Sequence, residues 1–286
     1  ATMDDTADKL TVDGSNLTGT NALTFTGTLE ASAEVSVTGG AAADSIIGGG
    51  GNDTIIGGAG ANVLTGNAGV DSITGGADAD TITGGAGVDK LVGGNGANKF
   101  VYLSNAADAT GTGETITGGS GTDTLVVSGG TTAVDFSNDT LSALNTLELT
   151  KDSAGSADSN AQSLTMSAAQ IDAFTIINSA AGDNITLSDV MTSDMLDNTV
   201  INTDLKLILK DVASNALTLV DATMDDDADK LTVDGSNLTG SNALTFTGTL
   251  EASAEVSVTG GAAADAITGG GGDDTIFGGA GVDNLV

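Results

Sequence analysis

The sequence predicts an all-β fold in which very short strands stack along a solenoid. Three observations predict it. A nine-residue pattern carries an apolar residue at its eighth position in every copy. Glycine accounts for 43 of the 286 residues and proline is absent, so the chain is rich in turns but is neither collagen nor a proline-rich linker. Aromatic residues are only 2% of the chain, which argues against a core of large side chains.

The nine-residue pattern begins at Gly39 and runs seven times without interruption to Val101, from GGAAADSII to GGNGANKFV. Position one is always glycine, and position eight is always apolar, from Ile46 to Phe100. Another copy, GGSGTDTLV, occupies 118–126 after the degenerate partner ATGTGETIT, and three more occupy 260–286. Position six is acidic or an amide in all eleven regular copies: Asp44, Asp53, Asn62, Asp71, Asp80, Asp89, Asn98, Asp123, Asp265, Asp274 and Asp283.

Each nonapeptide is predicted to be a turn followed by a short strand. The glycines permit positive φ and a close approach of backbone segments, which turns carbonyl oxygens inward beside the position-six side chain. The residue at position eight points into a thin core, and because one repeat cannot bury its strand alone, neighbouring repeats must stack. Solvated turns would also favour Asp and Gly, but they would not require an apolar residue at every eighth position.

The net charge of the chain indicates which kinds of ligand it can bind. There are 39 acidic residues against seven lysines and no arginine, a net charge of −32. This excludes binding to nucleic acids and to anionic membranes, and it predicts that a cation neutralises the chain. Histidine and cysteine are absent, so oxygen atoms are the abundant ligands, and they suit Ca²⁺. No apolar run is long enough to span a membrane.

These repeats resemble the RTX (repeats-in-toxin) nonapeptide G-G-x-G-x-D-x-U-x, a calcium-binding β-helix repeat. The resemblance implies a right-handed parallel β-roll with two nonapeptides per turn, calcium between turns, and type I secretion of the unfolded chain. The position-six residues are then the expected calcium ligands. Residues 18 apart should stack, which places Asp44, Asn62, Asp80 and Asn98 on one side and Asp53, Asp71 and Asp89 on the other. The side with only carboxylates should bind calcium more tightly.

A much longer repeat contains the short one. Residues 222–286 match 1–65 at 55 of 65 positions, an offset of 221 residues. We therefore expect the chain to be a window on a tandem array. The predicted segments are a strand-rich solenoid (1–38), the nonapeptide β-roll (39–101), a degenerate continuation (102–126), a β-rich solenoid with short helices (127–221), and the start of a second copy (222–286).

Short apolar runs predict further strands outside the nonapeptides. They are Leu10–Val12, Leu23–Phe25, Val35–Val37, Leu125–Val127, Leu147–Leu149, Phe174–Ile177, Leu205–Leu209 and Leu217–Val220. Short flanking helices are predicted at 139–145, 167–172 and 188–197, with Ser167 and Ser188 as N-caps.

The sequence favours a structural role over catalysis. Without His, Cys or Arg, triads, thiolates and guanidinium clamps are excluded, and only a carboxylate pair of the glycosidase kind remains open. The flanking segments resemble RTX-type bacterial surface-layer proteins and giant adhesins. The leading hypothesis is an extracellular, cell-surface protein that associates with its own copies in a surface layer or filament. The alternatives are the stalk of a giant adhesin and the β-roll tail of a secreted enzyme.

Overall fold

The computed structural model describes residues 9–27, 33–103, 113–129, 133–150, 161–180, 182–193, 195–196, 199–202, 204–219, 230–248 and 255–286. The chain divides into two compact units. The first comprises Ala1–Thr132 and Asn138–Thr146, and the second comprises Ala133–Ser137 and Leu147–Val286. Each unit is a parallel β-solenoid, which confirms the predicted all-β fold.

The strands are short throughout. In chain order they are β1 (Lys9–Asp13), β2 (Thr24–Thr26), β3 (Glu34–Thr38), β4 (Ser45–Gly49), β5 (Thr54–Gly58), β6 (Val63–Ala68), β7 (Ser72–Gly76), β8 (Thr81–Ala86), β9 (Lys90–Asn95), β10 (Lys99–Leu103), β11 (Thr115–Ser120), β12 (Thr124–Ser128), β13 (Val134–Asp135), β14 (Thr140–Ser142), β15 (Thr146–Thr150), β16 (Ser163–Met166), β17 (Ile176–Asn178), β18 (Asn184–Leu187), β19 (Val200–Ile201), β20 (Leu205–Ile208), β21 (Asn215–Thr218), β22 (Lys230–Asp234), β23 (Leu244–Thr247), β24 (Glu255–Thr259), β25 (Ala266–Thr268), β26 (Thr275–Phe277) and β27 (Asn284–Leu285).

In the first unit, successive strands alternate between two parallel sheets. One sheet has the order β1-β3-β5-β7-β9-β11-β14, and the other runs β2-β4-β6-β8-β10-β12. Ile46 faces Leu64 in one sheet and Ile55 faces Ile73 in the other, so two nonapeptides complete one coil and residues one coil apart stack. The right-handed β-roll with two repeats per turn is therefore confirmed.

The core of this unit is the position-eight column. The seven side chains from Ile46 to Phe100 are buried, with exposed fractions of 0–4%. Residues on either side of each one point outward, because successive side chains of a strand alternate between its faces. The core is thin but continuous, since each buried side chain packs on the equivalents in the coils above and below.

Coil length increases after the nonapeptides. Leu91 faces Ile116, Ile116 faces Leu141, and Phe100 faces Leu125, so each of these coils contains 25 residues. In each case the apolar column continues in register. The extra residues therefore extend the turns without interrupting the core.

The second unit repeats the architecture with variable coils. Two of its sheets have the orders β13-β16-β18-β20-β22-β24-β26 and β21-β23-β25-β27. Strands β15, β17 and β19 are also hydrogen-bonded to one another in that order. Leu164 faces Ile185, and Ile185 faces Leu207. Buried Leu164, Ile185, Leu207 and Val233 form its apolar column.

One of the three predicted helices forms among the described residues. Helix α1 spans Ala168–Asp172, and Ser167 caps it through a capping box with Gln170, as predicted. The prediction at 139–145 is wrong. Residues 140–142 form strand β14, and the amides of Thr140 and Asn145 donate to carbonyls of the preceding coil.

The third predicted helix, at 188–197, is also wrong over the residues of that span that the structure describes. Ser188 is not an N-cap, because its amide donates to the carbonyl of Met166 in the preceding coil, at 2.8 Å. The Met191 amide likewise donates to Asn215 in the following coil, at 2.9 Å. Bonds between coils thus replace the bonds that a helix would make within the segment.

The eight strand predictions are confirmed as β1, β2, β3, β12, β15, β17, β20 and β21, with β17 and β21 displaced by about two residues in opposite directions. No helix in the described part of the chain has the length and apolar character needed to cross a membrane.

Candidate calcium sites

Every position-six residue lies immediately before a strand, at a corner of its coil. Nine of the eleven position-six side chains are buried, with exposed fractions of 0–3%: the eight from Asp44 to Asp123, and Asp265. Asp274 and Asp283 are half-buried. Carboxylates this deep are rare unless they are paired, hydrogen-bonded or bound to a metal.

The first side of the first unit carries the alternating ladder, which we define as Asp44, Asn62, Asp80, Asn98 and Asp123. The Oδ1 atom of each later member accepts the backbone N–H of the member one coil earlier. The four N to Oδ1 distances are 2.8–3.0 Å. The first joins Asp44 to Asn62, and the last joins Asn98 to Asp123.

The other side carries the acidic ladder, which we define as Asp53, Asp71 and Asp89. The Asp53 amide donates to Asp71 Oδ1 at 2.7 Å, and the Asp71 amide donates to Asp89 Oδ1 at 2.8 Å. The geometry therefore brings the position-six side chains together as stacked columns. Neighbours are 18 residues apart in the uninterrupted repeats and 25 apart from Asn98 to Asp123. Each side chain anchors the coil above it, whatever else it binds.

The acidic ladder continues beyond the residues that the sequence identified. Glu114 Oε2 accepts the Asp89 amide at 2.9 Å, and Asp139 Oδ1 accepts the Glu114 amide at 2.9 Å. In the same way, Asn145 continues the alternating ladder by accepting the Asp123 amide at 2.7 Å. Glu114 occupies position six of the degenerate repeat ATGTGETIT, a signal that could have identified it. Asp139 and Asn145 lie in no nonapeptide, and their only signal is an acidic or amide residue directly before a strand.

The second copy repeats the local geometry. Asp265 accepts the amides of Leu244 and Gly261, both at 2.7 Å, as Asp44 accepts those of Leu23 and Gly40, both at 2.6 Å. Asp274 accepts the Val256 amide at 3.2 Å, and Asp283 accepts the Asp265 amide at 3.0 Å.

The position-one glycines are required by the oxygen atoms around them. A β-carbon on Gly66 would collide with Asp71 Oδ2 and with the carbonyl oxygen of Gly84, one coil away. A β-carbon on Gly75 would collide in the same way with Asp80 Oδ2 and the carbonyl oxygen of Gly93. Thus each of these two corners brings a carboxylate oxygen and a carbonyl oxygen from adjacent coils to the same small space.

The acidic ladder carries buried carboxylates that make no ion pair in the described part of the chain. Burial raises the pKa of Asp71 to about 7; the bond from the Asp53 amide opposes this, and the charges of Asp89 and Asp53 add to it. Burial also raises the pKa of Asp89 to about 6, against the bond from the Asp71 amide. Among the described residues, the lysine ion pairs are made with Glu34, Asp234 and Glu255, none of them in a ladder.

The oxygen atoms available at the ladders are suitable ligands for Ca²⁺. The Oδ2 atoms of Asp71, Asp80 and Asp123 are buried and have no hydrogen-bond partner in the described part of the chain, so they retain acceptor capacity. No three acidic side chains gather into a cluster within that part. An ion held here would therefore take most of its ligands from backbone carbonyls, a hard oxygen set that calcium accepts with six to eight ligands.

Fold and ladders together define a parallel β-roll built from stacked nonapeptides. The family model for the RTX calcium-binding nonapeptide repeat matches residues 36–64, 65–100 and 257–285, about a third of the chain. These segments are RTX calcium-binding nonapeptide repeats, and their ion is Ca²⁺. Comparisons with curated proteins and with solved structures gave no match. RTX repeats are typically structural rather than catalytic, and proteins that carry them are typically secreted by the type I route.

Proposed function

We propose that this chain is a calcium-rigidified structural region of a secreted bacterial protein that assembles with its own copies into a surface layer or extracellular filament. The observation that carries the proposal is the near-identity of 1–65 and 222–286. A 221-residue unit that repeats, and whose described strands are parallel within each compact unit, would provide the length and regular spacing that assemblies require.

The proposed calcium ligands are the position-six oxygens together with nearby carbonyls. They are Asp44, Asp53, Asn62, Asp71, Asp80, Asp89, Asn98, Asp123, Asp265, Asp274 and Asp283. Bound calcium would neutralise carboxylates that are buried side by side, so its binding free energy would be folding free energy. The chain would stay unfolded where calcium is scarce and would fold after export. This order suits type I secretion of an unfolded polypeptide.

The same repetition supports a second role, the stalk of a giant adhesin whose target-binding domain lies elsewhere in the protein. A stalk needs length and calcium-dependent stiffness, but it does not need contacts between neighbouring molecules. The third hypothesis, a β-roll tail of an enzyme, gives no reason for near-identical 221-residue units.

Negative-stain images of the protein in calcium distinguish these roles. We expect ordered lattices or filaments that disappear with chelator and return when calcium is restored. Magnesium at the same concentration is the control for charge screening alone. Isolated rods at every protein concentration would overturn self-assembly and would support the stalk.

A further inference from the structure

The boundary between the two copies of the long repeat, after residue 221, falls inside the second unit. Hydrogen-bonded strands from both copies meet across it. Strand β20 of the first copy pairs with β22 of the second, from Leu205 facing Leu231 to Ile208 facing Asp234. Strand β21 pairs with β23 in the other sheet over four residues. Both sheets are thus continuous across the copy boundary.

Polar side chains also join the two copies. Lys206 forms an ion pair with Asp234 at 2.8 Å. Asp211 accepts three bonds from the second copy: from the Thr239 amide at 2.8 Å, the Thr239 hydroxyl at 2.5 Å and the Asn242 side-chain amide at 2.8 Å. These side-chain contacts would specify which coil packs on which, in addition to the nonspecific pairing of strand edges.

Apolar side chains of the second copy are sealed by this contact. Leu231, Val233, Leu238 and Phe246 have exposed fractions of 0–1%. They lie on the coil that packs against residues 205–219 of the first copy. The contact therefore buries a continuous part of the core, which is the main source of stability for stacked repeats.

The first copy carries the same surface without that covering. Residues 9–26 differ from 230–247 only by Thr20 in place of Ser241. We name residues 9–26 the docking face. Its Leu10, Val12 and Phe25, the equivalents of Leu231, Val233 and Phe246, are only half-buried. Strand β1 pairs with β3 and has no second neighbour in the described part of its sheet.

Asn21 of the docking face and its equivalent in the second copy, Asn242, have different hydrogen-bond partners. The side-chain amide of Asn21 donates to the carbonyl of Thr18 at 2.9 Å. Its equivalent, Asn242, instead donates to Asp211 of the preceding copy. Asn21 and Thr18 thus present the same groups that bind Asp211 at the internal boundary.

We propose that the docking face binds residues 205–219 of another copy of the 221-residue unit joined in tandem before it, in the register seen at the internal boundary. Both sheets then continue from each copy into the next at the copy boundary, and successive copies are not separate domains on linkers. The inference deepens the structural role proposed above and rests on it. It identifies the partner of this surface as a further unit of the same repeat.

The test extends the 286-residue chain at its N-terminus with a second copy of its own residues 133–221, which recreates the order found before residue 222. In calcium, hydrogen exchange of the Lys9–Asp13 amides should slow to the rate of Lys230–Asp234. In the original chain they should exchange faster. If these amides exchange equally fast in both chains, while both fold with calcium, the proposed docking is wrong.

Matched alanine variants provide a second measurement. In the original chain, Asn242→Ala should lower the melting temperature in calcium, whereas Asn21→Ala, which removes only an exposed bond to Thr18, should lower it much less. In the extended chain both substitutions should lower it, and Asp211→Ala in the added copy should remove the effect of Asn21→Ala. An Asn21→Ala effect that is the same in both chains would overturn the proposal. Failure of calcium to fold either chain would instead count against the structural role itself.

Discussion

The two ladders of the first unit share one backbone geometry but differ in charge. In both, a side-chain oxygen accepts the amide of the coil above at about the same distance, 2.7–3.0 Å. In the alternating ladder, amides separate the carboxylates, and Asn98 Nδ2 donates to Asp123 Oδ1 at 2.9 Å. In the acidic ladder, Asp71 lies between two carboxylates, and their charges add to the rise in its pKa.

This difference shows that the same hydrogen bonds between coils, which we define as the scaffold, can be made by neutral amides or by charged carboxylates. An amide satisfies the scaffold without adding a charge, so we expect the alternating ladder to tolerate the absence of an ion better. A carboxylate satisfies the scaffold equally well but adds buried charge, so we expect the acidic ladder to depend on a bound cation. Calcium dependence should therefore be concentrated on the acidic ladder, and the predictions below test that distribution.

Removal of calcium should have the largest effect. The chelated chain retains a charge of −32 and buried carboxylates with no cation, and its thin core cannot offset the repulsion. We expect the protein to lose most of its β signal by circular dichroism and to expand in X-ray scattering. Readdition of calcium should restore both, and readdition of magnesium should not. A chelated chain with unchanged dichroism and dimensions would contradict the requirement.

Exchange of charge between the ladders should have the next largest effect. Asp71→Asn keeps the acceptor for the Asp53 amide but removes a carboxylate between two others. Calcium affinity should fall by about tenfold or more, since loss of even an indirect metal contact costs that much. The melting temperature in calcium should fall with it. Because buried charge is also removed, the same variant should be more stable than the wild type in chelator.

Asn62→Asp is the matched opposite substitution at the middle of the alternating ladder. It should raise calcium affinity and lower stability in chelator, and Asp283 shows that the second copy already carries a carboxylate at the equivalent position. Calcium titration by calorimetry and melting curves with and without chelator measure both variants. Shifts of the same sign for the two substitutions would show that charge does not distinguish the ladders.

The pH dependence should reverse sign with calcium. The folded, calcium-free pKa values of Asp71 and Asp89 are about 7 and about 6, above the value of about 3.9 for an unfolded aspartate. A raised pKa means that protonation favours the folded chain. This stabilisation is complete below the unfolded pKa and is lost as the pH rises through the folded values. Acid should therefore partly restore the β signal in chelator.

With calcium present the dependence should be opposite, because calcium binds only deprotonated carboxylates. Affinity should rise between pH 5 and pH 8, with most of the rise near the pKa values of the acidic ladder, about 6 and about 7. Asp71→Asn should flatten both profiles, and this variant separates the ladder from the other acidic groups. Titrations at four or five pH values by calorimetry would measure the slope. A slope that Asp71→Asn leaves unchanged would place the titrating groups outside the acidic ladder.

The sequence predicted the parts of the fold that are set by local periodicity. The nine-residue pattern was sufficient for the buried column from Ile46 to Phe100. The coil of two repeats and the stacking of position six were implied by the resemblance to the RTX repeat, and the strand pairing bears them out. The buried column depends on residues at fixed spacing, so one sequence contains all the information that it needs. Whether the stacked oxygens bind calcium as proposed is a separate prediction that the geometry leaves to experiment.

The sequence was least informative where coils have irregular length. Strands β16 and β18, and the ladder residues Asp139 and Asn145, lie in coils without the glycine pattern. Their positions follow from hydrogen bonds to residues 21–25 positions away. Local propensity could not reveal these partners, and for the same reason it wrongly favoured helices at 139–145 and 188–197.

Glu114 lies where the acidic ladder leaves the regular repeats, and it provides the prediction with the smallest effect. Its carboxylate accepts the Asp89 amide, but ATGTGETIT lacks the paired glycines that bring carbonyl oxygens together in a regular repeat. Glu114→Gln keeps an acceptor, so we expect calcium affinity to change by less than about threefold, or about 0.7 kcal/mol. Glu114→Ala leaves the buried Asp89 amide without this acceptor, which should destabilise the protein by about 1–3 kcal/mol. Calorimetric titration and thermal melting of both variants measure the two effects separately. If Glu114→Gln lowers calcium affinity as much as Asp71→Asn does, the acidic ladder binds calcium one coil beyond the nonapeptides, and charge rather than the glycine pattern decides where the ion is held.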